Sequence, residues 1–308
     1  MNSLSVIIPT FNRSTTLQKA LSAYLQQTAI DGIAEILVVD DGSADSTCAV
    51  VEQLSMESTV PIRYFRQDNR GPAAARNVGI REAASDLVLF TDDDIIPSPS
   101  LVAEHLDWHH TFPESPIAVL GFVTWDPDVK PTPFMKWYGS YGALFSYAYF
   151  EGRSQIDNKY FYTCNVSLKT RFLRENGIFD EDFKSAAYED AELGYRLGRA
   201  GLQLLYNPRA VAYHHQFFLF SDACRKALVN ASASRLFLQK EAGQSILVGQ
   251  RERRSRLWIR IVRWAMAAVA IALRPVRRLL NSYMPLPRFV YRLFFWNDVT
   301  RPIDLFKS

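Results

Sequence analysis

Leu87-Val88-Leu89-Phe90-Thr91-Asp92-Asp93-Asp94 is the stretch from which the fold of this chain can be predicted. Its first four residues form an apolar run bounded by polar residues, which is typical of a short strand buried on both faces. Three carboxylates follow directly, and open α/β sheets bind ligands at the carboxyl edge of their strands. The stretch therefore predicts a buried strand that ends in an acidic ligand site.

The three carboxylates favour a bound cation. Adjacent carboxylates repel each other by about 1–4 kcal/mol per close pair, depending on the local dielectric. All-oxygen ligation suits a hard divalent ion, so we expect Mg²⁺ or Mn²⁺ as a cofactor. The alternative is that the acids complement the N-terminus of a helix after Ser98-Pro99-Ser100, for which a single Asp would be enough.

Apolar runs and helical patterns alternate through the first part of the chain. Strands are predicted at 4–8, 35–39, 62–65 and 87–90, and helices begin near Ser14, near Asp45 or Ser46, and at Gly71-Pro72. This alternation is typical of parallel βαβ units, so it predicts an α/β fold, a Rossmann-like, mostly parallel sheet flanked by helices. No G-x-G-x-x-G follows the first strand, which argues against a dinucleotide-binding domain.

Three turns are predicted to meet at one edge of this sheet. They are Pro9 to Arg13, Asp40-Asp41-Gly42-Ser43 and Asp92 to Asp94. Two acidic turns suit the base and ribose of a nucleotide together with a metal, and Arg13, Arg70 or Arg76 could meet phosphate. We therefore expect a nucleoside diphosphate bound with a divalent ion, although the second turn is equally compatible with a plain type I turn.

Four segments in order carry a family resemblance. Ser5–Arg13 (SVIIPTFNR), Ile36–Ser43 (ILVVDDGS), Asn69–Asn77 (NRGPAAARN) and Leu89–Asp94 (LFTDDD) resemble the N-terminal motifs of family 2 glycosyltransferases, which have the GT-A fold. The resemblance extends over about residues 4–215. It implies an enzyme that moves a sugar from a nucleotide-sugar donor, most often UDP-linked, to an acceptor hydroxyl with inversion.

The resemblance also implies roles for individual residues of the donor site. Asp41 would hydrogen-bond the nucleotide base, Asp92 the ribose, and Asp94 would bind the metal. The remaining residues predicted to bind the nucleotide sugar are Pro9, Thr10, Arg13, Arg76 and Asp93.

Later motifs contribute the acceptor side. Tyr188-Glu189-Asp190 opens a predicted helix, where the acids could simply complement the dipole; the family carries a Glu-Asp motif here, which implies Asp190 as the catalytic base. Asn165, on a strand predicted at 161–168, and Glu189 would border the acceptor and sugar region. His214, predicted just after a strand at 202–206, is a candidate metal ligand or a structural residue.

The aromatic residues of 130–162 suit either an acceptor groove or packing against the sheet or the tail. We expect a catalytic domain at 1–215, with a nucleotide-sugar half at about 1–95 and an acceptor half at about 96–215. A helical, basic extension should follow at 216–308.

The charge distribution points to a polyanionic surface as a partner of the tail. Residues 251–308 contain 13 Lys+Arg and 3 Asp+Glu, whereas residues 1–250 contain the remaining 22 and 29. On a helical wheel, arginines from Arg256 to Arg278 share one face opposite apolar residues, as in helices that lie in a membrane interface. The uncharged run 264–273 is too short to span a bilayer. The alternative is a helix packed on the catalytic domain.

The sequence also leads to expectations about the cellular location of the protein, its acceptor and its functional class. Three scattered cysteines and the absence of a recognisable signal peptide favour the cytoplasm, with peripheral attachment to the inner face of the cytoplasmic membrane. We expect a saccharide or lipid-linked saccharide acceptor, as in cell-surface polysaccharide or glycolipid synthesis, and no nucleic acid. The alternatives are a nucleotidyltransferase and a non-catalytic carbohydrate- or membrane-binding protein.

Overall fold

Nine strands form one sheet in the computed structural model, which describes residues 3–113, 116–141, 144–248, 269 and 273–305. They are β1 (Leu4–Thr10), β2 (Ile33–Asp40), β3 (Ile62–Arg66), β4 (Leu87–Thr91), β5 (Ile95–Pro97), β6 (Ile117–Trp125), β7 (Gln155–Ile156), β8 (Asn165–Lys169) and β9 (Gln203–His214). The order is β3-β2-β1-β4-β8-β6-β9-β5, with β7 also on β9. The first four strands in this order are parallel, as predicted, so their carboxyl ends share one edge.

Helices connect and flank these strands. They are α1 (Ser14–Tyr24), α2 (Thr47–Glu57), α3 (Pro72–Glu82), α4 (Leu101–Thr111), α5 (Pro133–Ser140), α6 (Thr170–Asn176), α7 (Glu189–Arg199), α8 (Phe220–Val229), α9 (Ala231–Gln239), the single turn α10 (Glu241–Gly243) and α11 (Arg288–Leu305). The α/β class predicted from the sequence is confirmed. In α1, Leu17, Leu21 and Tyr24 form the buried face that the helical spacing predicted.

The start of α3 is fixed by a close backbone approach. Pro72 occupies the first turn, and Gly71 before it has a φ of 92°. A Cβ at Gly71 would lie 2.6 Å from the carbonyl oxygen of Lys184. Only glycine combines this φ with this proximity, so the segment that leads to α7 packs directly on the N-terminus of α3.

Two predicted strands have different limits in the structure. The strand predicted at 161–168 begins only at Asn165. The strand predicted at 202–206 continues to His214 because its pairing with β6 shifts by three residues, from Gly121 opposite Asn207 to Phe122 opposite Val211. His214 is therefore the last residue of a strand, and the prediction that it follows one was wrong.

The described residues fall into two compact units. The first comprises residues 1–126 and 150–215 and contains the whole sheet; the second comprises 127–149 and 216–308. The predicted division after residue 215 remains a proposal, to which the structure adds that 127–149, expected in the acceptor half, group with the tail. Within the second unit, Phe134 packs against Phe220 and Tyr291, and Trp137 also packs against Tyr291, so these two aromatic residues of the 130–162 segment, Phe134 and Trp137, serve packing.

The predicted amphipathic helix falls largely outside the described residues, which resume at 273 after Val269. Residues Arg274–Leu279 form a 3-10 helix. Among the described residues, no helix combines the length and the hydropathy that a membrane span requires.

Candidate active site

The turn after β2 holds Asp41 in a fixed position at the sheet edge. Its Oδ1 accepts hydrogen bonds from the backbone NH of Arg70 (2.8 Å) and from the side chain of Gln67 (2.6 Å), and its Oδ2 accepts one from the NH of Gly71 (2.8 Å). The backbone NH of Asp41 donates to the carbonyl of Thr10. This turn is therefore more than a surface loop, because its carboxylate ties β2 to the start of α3.

The turns after β1 and β2 are joined to each other. The Asn12 side chain accepts a hydrogen bond from the NH of Ala44 (2.7 Å), and the NH of Asn12 donates to Ser43 Oγ (2.8 Å). Asn12 has a positive φ of 53°, which Asn tolerates better than most residues. Pro9, buried in β1 opposite Val39, precedes this turn.

Asp93 is the buried centre of the acidic run. Thr10 Oγ1 donates to Asp93 Oδ2 (2.8 Å) and Arg13 Nη1 to Asp93 Oδ1 (3.2 Å). Burial, and next the charge of Asp94, raise the pKa of Asp93 to about 7, against the opposing effect of Arg13. The structure thus brings together Thr10, Arg13 and Asp93, which the sequence predicted as donor-binding residues.

Asp94 and His214 form the candidate metal pair. Their nearest atoms, Asp94 Oδ2 and His214 Nε2, are 3.4 Å apart, and the NH of His215 donates to the Asp94 carbonyl (2.8 Å). The imidazole of His214 stacks on Trp125, with ring centroids 5.1 Å apart. Arg13 also donates a hydrogen bond to Asp94 Oδ2, so a cationic group already neutralises this carboxylate.

A carboxylate and an imidazole this close fit a divalent ion such as Mn²⁺. They supply only two ligands, and among the residues that the structure describes no three His, Cys, Asp or Glu side chains are grouped as a metal site. Metal binding by Asp94 and His214 accordingly remains a prediction.

Arg76 lies between two carboxylates instead of facing solvent. Its Nη2 donates to Asp92 Oδ1 (2.7 Å) and its Nη1 to Glu189 Oε1 (3.0 Å), and its side chain is 3% exposed. We predicted Arg76 as a donor-binding residue, and a direct contact with the donor stays a prediction. What the structure shows is a link between the acidic run and the N-terminus of α7.

The Glu189-Asp190 pair begins α7 directly after Tyr188, whose φ of 68° is left-handed. The NH of Ala191 donates to Asp190 Oδ1 (2.7 Å). Burial, and next the charge of Glu189, raise the pKa of Asp190 to about 7. Burial also raises the pKa of Glu189, although Arg76 opposes this. A carboxyl group that titrates near neutral pH is suited to accept a proton from a substrate hydroxyl.

Asn165 differs from the other predicted site residues because its side chain has structural partners. The amide nitrogen donates to the carbonyl of Ala210 (2.9 Å), and the amide oxygen pairs with Nε2 of the buried His105 (2.8 Å). His105 and His109 both contact Ser167 Oγ, and burial lowers the pKa of His105 to about 4. Asn165 thus joins β8 to β9 and α4, and a contact with the acceptor stays a prediction.

Two features near the site were not predicted from the sequence, namely the exposure of the Phe11 side chain and the contacts of His215. Phe11, 44% exposed between Thr10 and Asn12, offers an apolar surface at the same edge as Asp41. His215 connects Asp126 (2.6 Å from Nδ1) and Lys19 (2.9 Å from Nε2). The exposed aromatic residue in the first turn was a usable signal for Phe11, whereas nothing in the sequence relates Lys19 to His215.

Comparison with known proteins gives three kinds of similarity. The model of the family "Glycosyl transferase family 2" matches residues 5–170. Validoxylamine A glucosyltransferase from Streptomyces hygroscopicus subsp. limoneus is 30% identical over 233 residues, which are 65% of this chain and 49% of that protein. Hyaluronan synthase from Pasteurella multocida is 30% identical over 240 residues, which are 69% of this chain and 24% of that protein. The chain thus spans half or less of these relatives.

A solved structure has a similar fold. The mannosyltransferase PcManGT from Pyrobaculum calidifontis, in complex with GDP-Man and Mn²⁺, superposes with a TM-score of 0.67 and 17% identity, covering 100% of this chain and 88% of that one. At this identity the likeness establishes the fold, and the fold is the GT-A arrangement expected from the motifs.

Proposed function

Because the chain belongs to glycosyl transferase family 2, we propose that it transfers a sugar from a nucleotide-sugar donor to an acceptor hydroxyl with the help of a divalent ion. The observation that carries this proposal is one continuous set of contacts. Asp92 at the end of β4 and Glu189 beside Asp190 are bound by the same buried arginine. The donor site and the proton acceptor would therefore be held at a fixed distance from each other by this arginine.

The donor would occupy the carboxyl edge of β1, β2 and β4. Asp41 would accept a hydrogen bond from the base, Asp92 from the ribose, and Thr10, Arg13 and Asp93 would lie near the diphosphate. We propose UDP as the nucleotide because the family uses it most. The base contact is supported by the three hydrogen bonds that fix the Asp41 carboxylate.

Asp190 would act as the general base. It accepts the proton of the acceptor hydroxyl while that oxygen attacks the anomeric carbon, and the nucleoside diphosphate leaves from the opposite face. A single displacement of this kind inverts the anomeric configuration. Asp94 and His214 would hold the divalent ion, which, when bound, neutralises charge on the leaving diphosphate. The pKa of about 7 at Asp190 supports its assignment as base.

The experiment that tests this function follows release of nucleoside diphosphate from a panel of nucleotide sugars with Mn²⁺. We expect one donor to be consumed by the wild-type protein, and turnover to fall by about 10²–10⁴-fold in Asp190→Asn, since an amide cannot accept the proton. Donor affinity, measured by calorimetry, should remain near that of the wild type. If donor binding is lost instead, Asp190 is a donor ligand and the mechanism is wrong.

Two more specific proposals concern the class of acceptor and binding to a membrane surface. The name of one relative, a hyaluronan synthase, supports a saccharide acceptor. On α11, Arg288, Phe289, Arg292 and Trp296 recur at helical spacing, and Phe289 and Trp296 are 62% and 41% exposed. No acidic residue occurs at 253–297. An exposed face of arginine and aromatic side chains suits an anionic bilayer surface.

We propose that this face contributes to peripheral binding at the inner surface of the cytoplasmic membrane. Flotation with phosphatidylglycerol vesicles should show binding that decreases at high salt and is lost in Arg288→Glu/Arg292→Glu. The matched control is Arg81→Glu/Arg171→Glu, which makes the same change in charge at exposed positions of the first unit. Equal loss in both variants would mean that net charge, and not this face, governs binding.

A further inference from the structure

The contacts of Arg76 suggest a function that differs from phosphate binding. Its guanidinium is buried on α3, and both terminal nitrogens already donate to carboxylates, those of Asp92 and Glu189. Asp92 itself is about one-third exposed, so the end of the bridge that reaches solvent is the acid and not the arginine. An approaching ligand would meet Asp92 before it meets Arg76.

The guanidinium is also held from one face. It lies over the ring of Phe179, with its central carbon 5.6 Å from the ring centroid. Asn77, the next residue on α3, fixes the backbone of Phe179 by two hydrogen bonds of 2.9 Å, and the Phe179 ring meets the edge of Phe90 on β4. A planar cation so constrained is well suited to keep two carboxylates at a set separation.

From this geometry we infer that Arg76 is a positioning residue, which holds the Glu189-Asp190 start of α7 against the donor-binding end of β4 and, together with Glu189, sets the proton affinity of Asp190. The inference rests on the proposed role of Asp190 as the base. It adds that Arg76 connects the start of α7 to the donor site through its ion pairs with Glu189 and Asp92. This role requires no contact between Arg76 and the substrate.

The electrostatic consequence depends on every charged or titratable group around Asp190. Glu189 on α7 lies beside it and disfavours its ionised form; Arg76 on α3 favours it; Asp92 after β4 disfavours it. Cys164, just before β8, is buried, and burial raises its pKa, so the thiol is neutral near pH 7. Arg76 is thus the one cation among these four neighbours. Its removal should strengthen proton binding by the buried Glu189–Asp190 pair, and removal of the Glu189 charge should weaken proton binding at Asp190.

Two substitutions with opposite predicted signs test this. Arg76→Met should raise the apparent pKa values of the buried Glu189–Asp190 pair, since a nearby opposite charge accounts for shifts of about 1–3 units. Glu189→Gln should lower the pKa of Asp190, because the neighbouring negative charge is gone while the shape is kept. The double variant removes both members of the ion pair, so its pKa should return toward the wild-type value.

The measurement is a ¹³C NMR titration of the protein labelled at aspartate and glutamate carboxyl carbons, without donor or metal, with Asp190→Asn and Glu189→Gln identifying the two resonances. Shifts of the same sign in both single variants, or no shift in Glu189→Gln, would overturn the inference. If Arg76→Met does not fold, Arg76→Lys takes its place. Lysine keeps the positive charge but lacks the two terminal guanidinium nitrogens that bind Asp92 and Glu189 together. The pKa of Asp190 should then stay near the wild-type value, while kcat falls about tenfold or more. A loss confined to donor affinity would make Arg76 a donor ligand.

The NMR readout also separates this inference from the proposed function. Because the titration needs no turnover, opposite shifts in a protein that releases no nucleoside diphosphate would leave the link standing and reject the transferase assignment. Conversely, the wild-type enzyme could be active and lose turnover in Asp190→Asn, while the pKa of Asp190 does not shift in Glu189→Gln. That result would reject the proposed role of Arg76 and leave the transferase assignment standing.

Discussion

Replacing Asp190 by asparagine should stabilise the folded protein at neutral pH even as it removes the proposed base. The pKa of this carboxyl group is raised from 3.8 to about 7. The folded state therefore keeps a proton that the unfolded state loses between about pH 4 and pH 7, and the free energy of unfolding falls as the pH rises through this window. Above pH 7 the wild-type protein carries a charge that its surroundings disfavour, and the asparagine variant does not.

The size of the effect follows from the shift. About three pH units at about 1.4 kcal/mol each give about 4 kcal/mol if the whole shift belongs to Asp190, and about 2 kcal/mol if Glu189 shares it equally. Urea unfolding of the wild-type protein and Asp190→Asn at pH 4.5 and pH 8 should show free energies of unfolding that differ by only about 1 kcal/mol at the lower pH. At the higher pH, Asp190→Asn should be more stable by about 2–4 kcal/mol.

A matched control removes an aspartate charge elsewhere. Asp68 is exposed, and Asp68→Asn should change the free energy of unfolding by no more than about 0.5 kcal/mol at either pH. If Asp190→Asn behaves like Asp68→Asn at both pH values, the carboxyl group of Asp190 is not held in an environment that favours its protonated form, and the reasoning fails.

Three further substitutions follow from the contacts. Asp41→Ala should weaken nucleoside diphosphate binding in calorimetry by about 1–3 kcal/mol, because the partner on the base is left unpaired; an unchanged affinity would count against the base contact. Arg13→Gln should strengthen Mn²⁺ binding without nucleotide, followed by electron paramagnetic resonance, because Arg13 contacts Asp94; weaker binding would contradict this. Asn77→Ala should lower the free energy of unfolding by about 1–3 kcal/mol, because the backbone of Phe179 loses two hydrogen bonds; an unaltered urea midpoint would refute this role.

The features that could be predicted from the sequence are local ones. An apolar run followed by acids, as at 87–94, specifies a strand and the polar group at its end within a few residues, so the parallel strands and the shared edge of three turns were predicted correctly. The Glu-Asp pair was found by its motif. Its environment was not, because Arg76 and Glu189 are separated by 113 residues in sequence and meet only in the folded chain.

The same limit explains the other differences. The register shift in β9 depends on pairing with β6, and three residues that loop out of the ladder leave no clear pattern in the sequence. Asn165 was predicted near the acceptor from the family resemblance, which does not indicate that its side-chain partners, Ala210 and His105, come from β9 and α4. The grouping of 127–149 with the tail depends on aromatic contacts such as Trp137 with Tyr291, which no local pattern indicates.

The most direct test of the central claim is metal-dependent release of nucleoside diphosphate from a nucleotide sugar, compared in the wild-type protein and Asp94→Ala. We predict release with at least one donor in the presence of Mn²⁺, suppression by a chelator, and loss in Asp94→Ala with the fold retained by circular dichroism. Release of pyrophosphate from nucleoside triphosphates, with no nucleoside diphosphate from any nucleotide sugar, would contradict the claim and identify a nucleotidyltransferase instead.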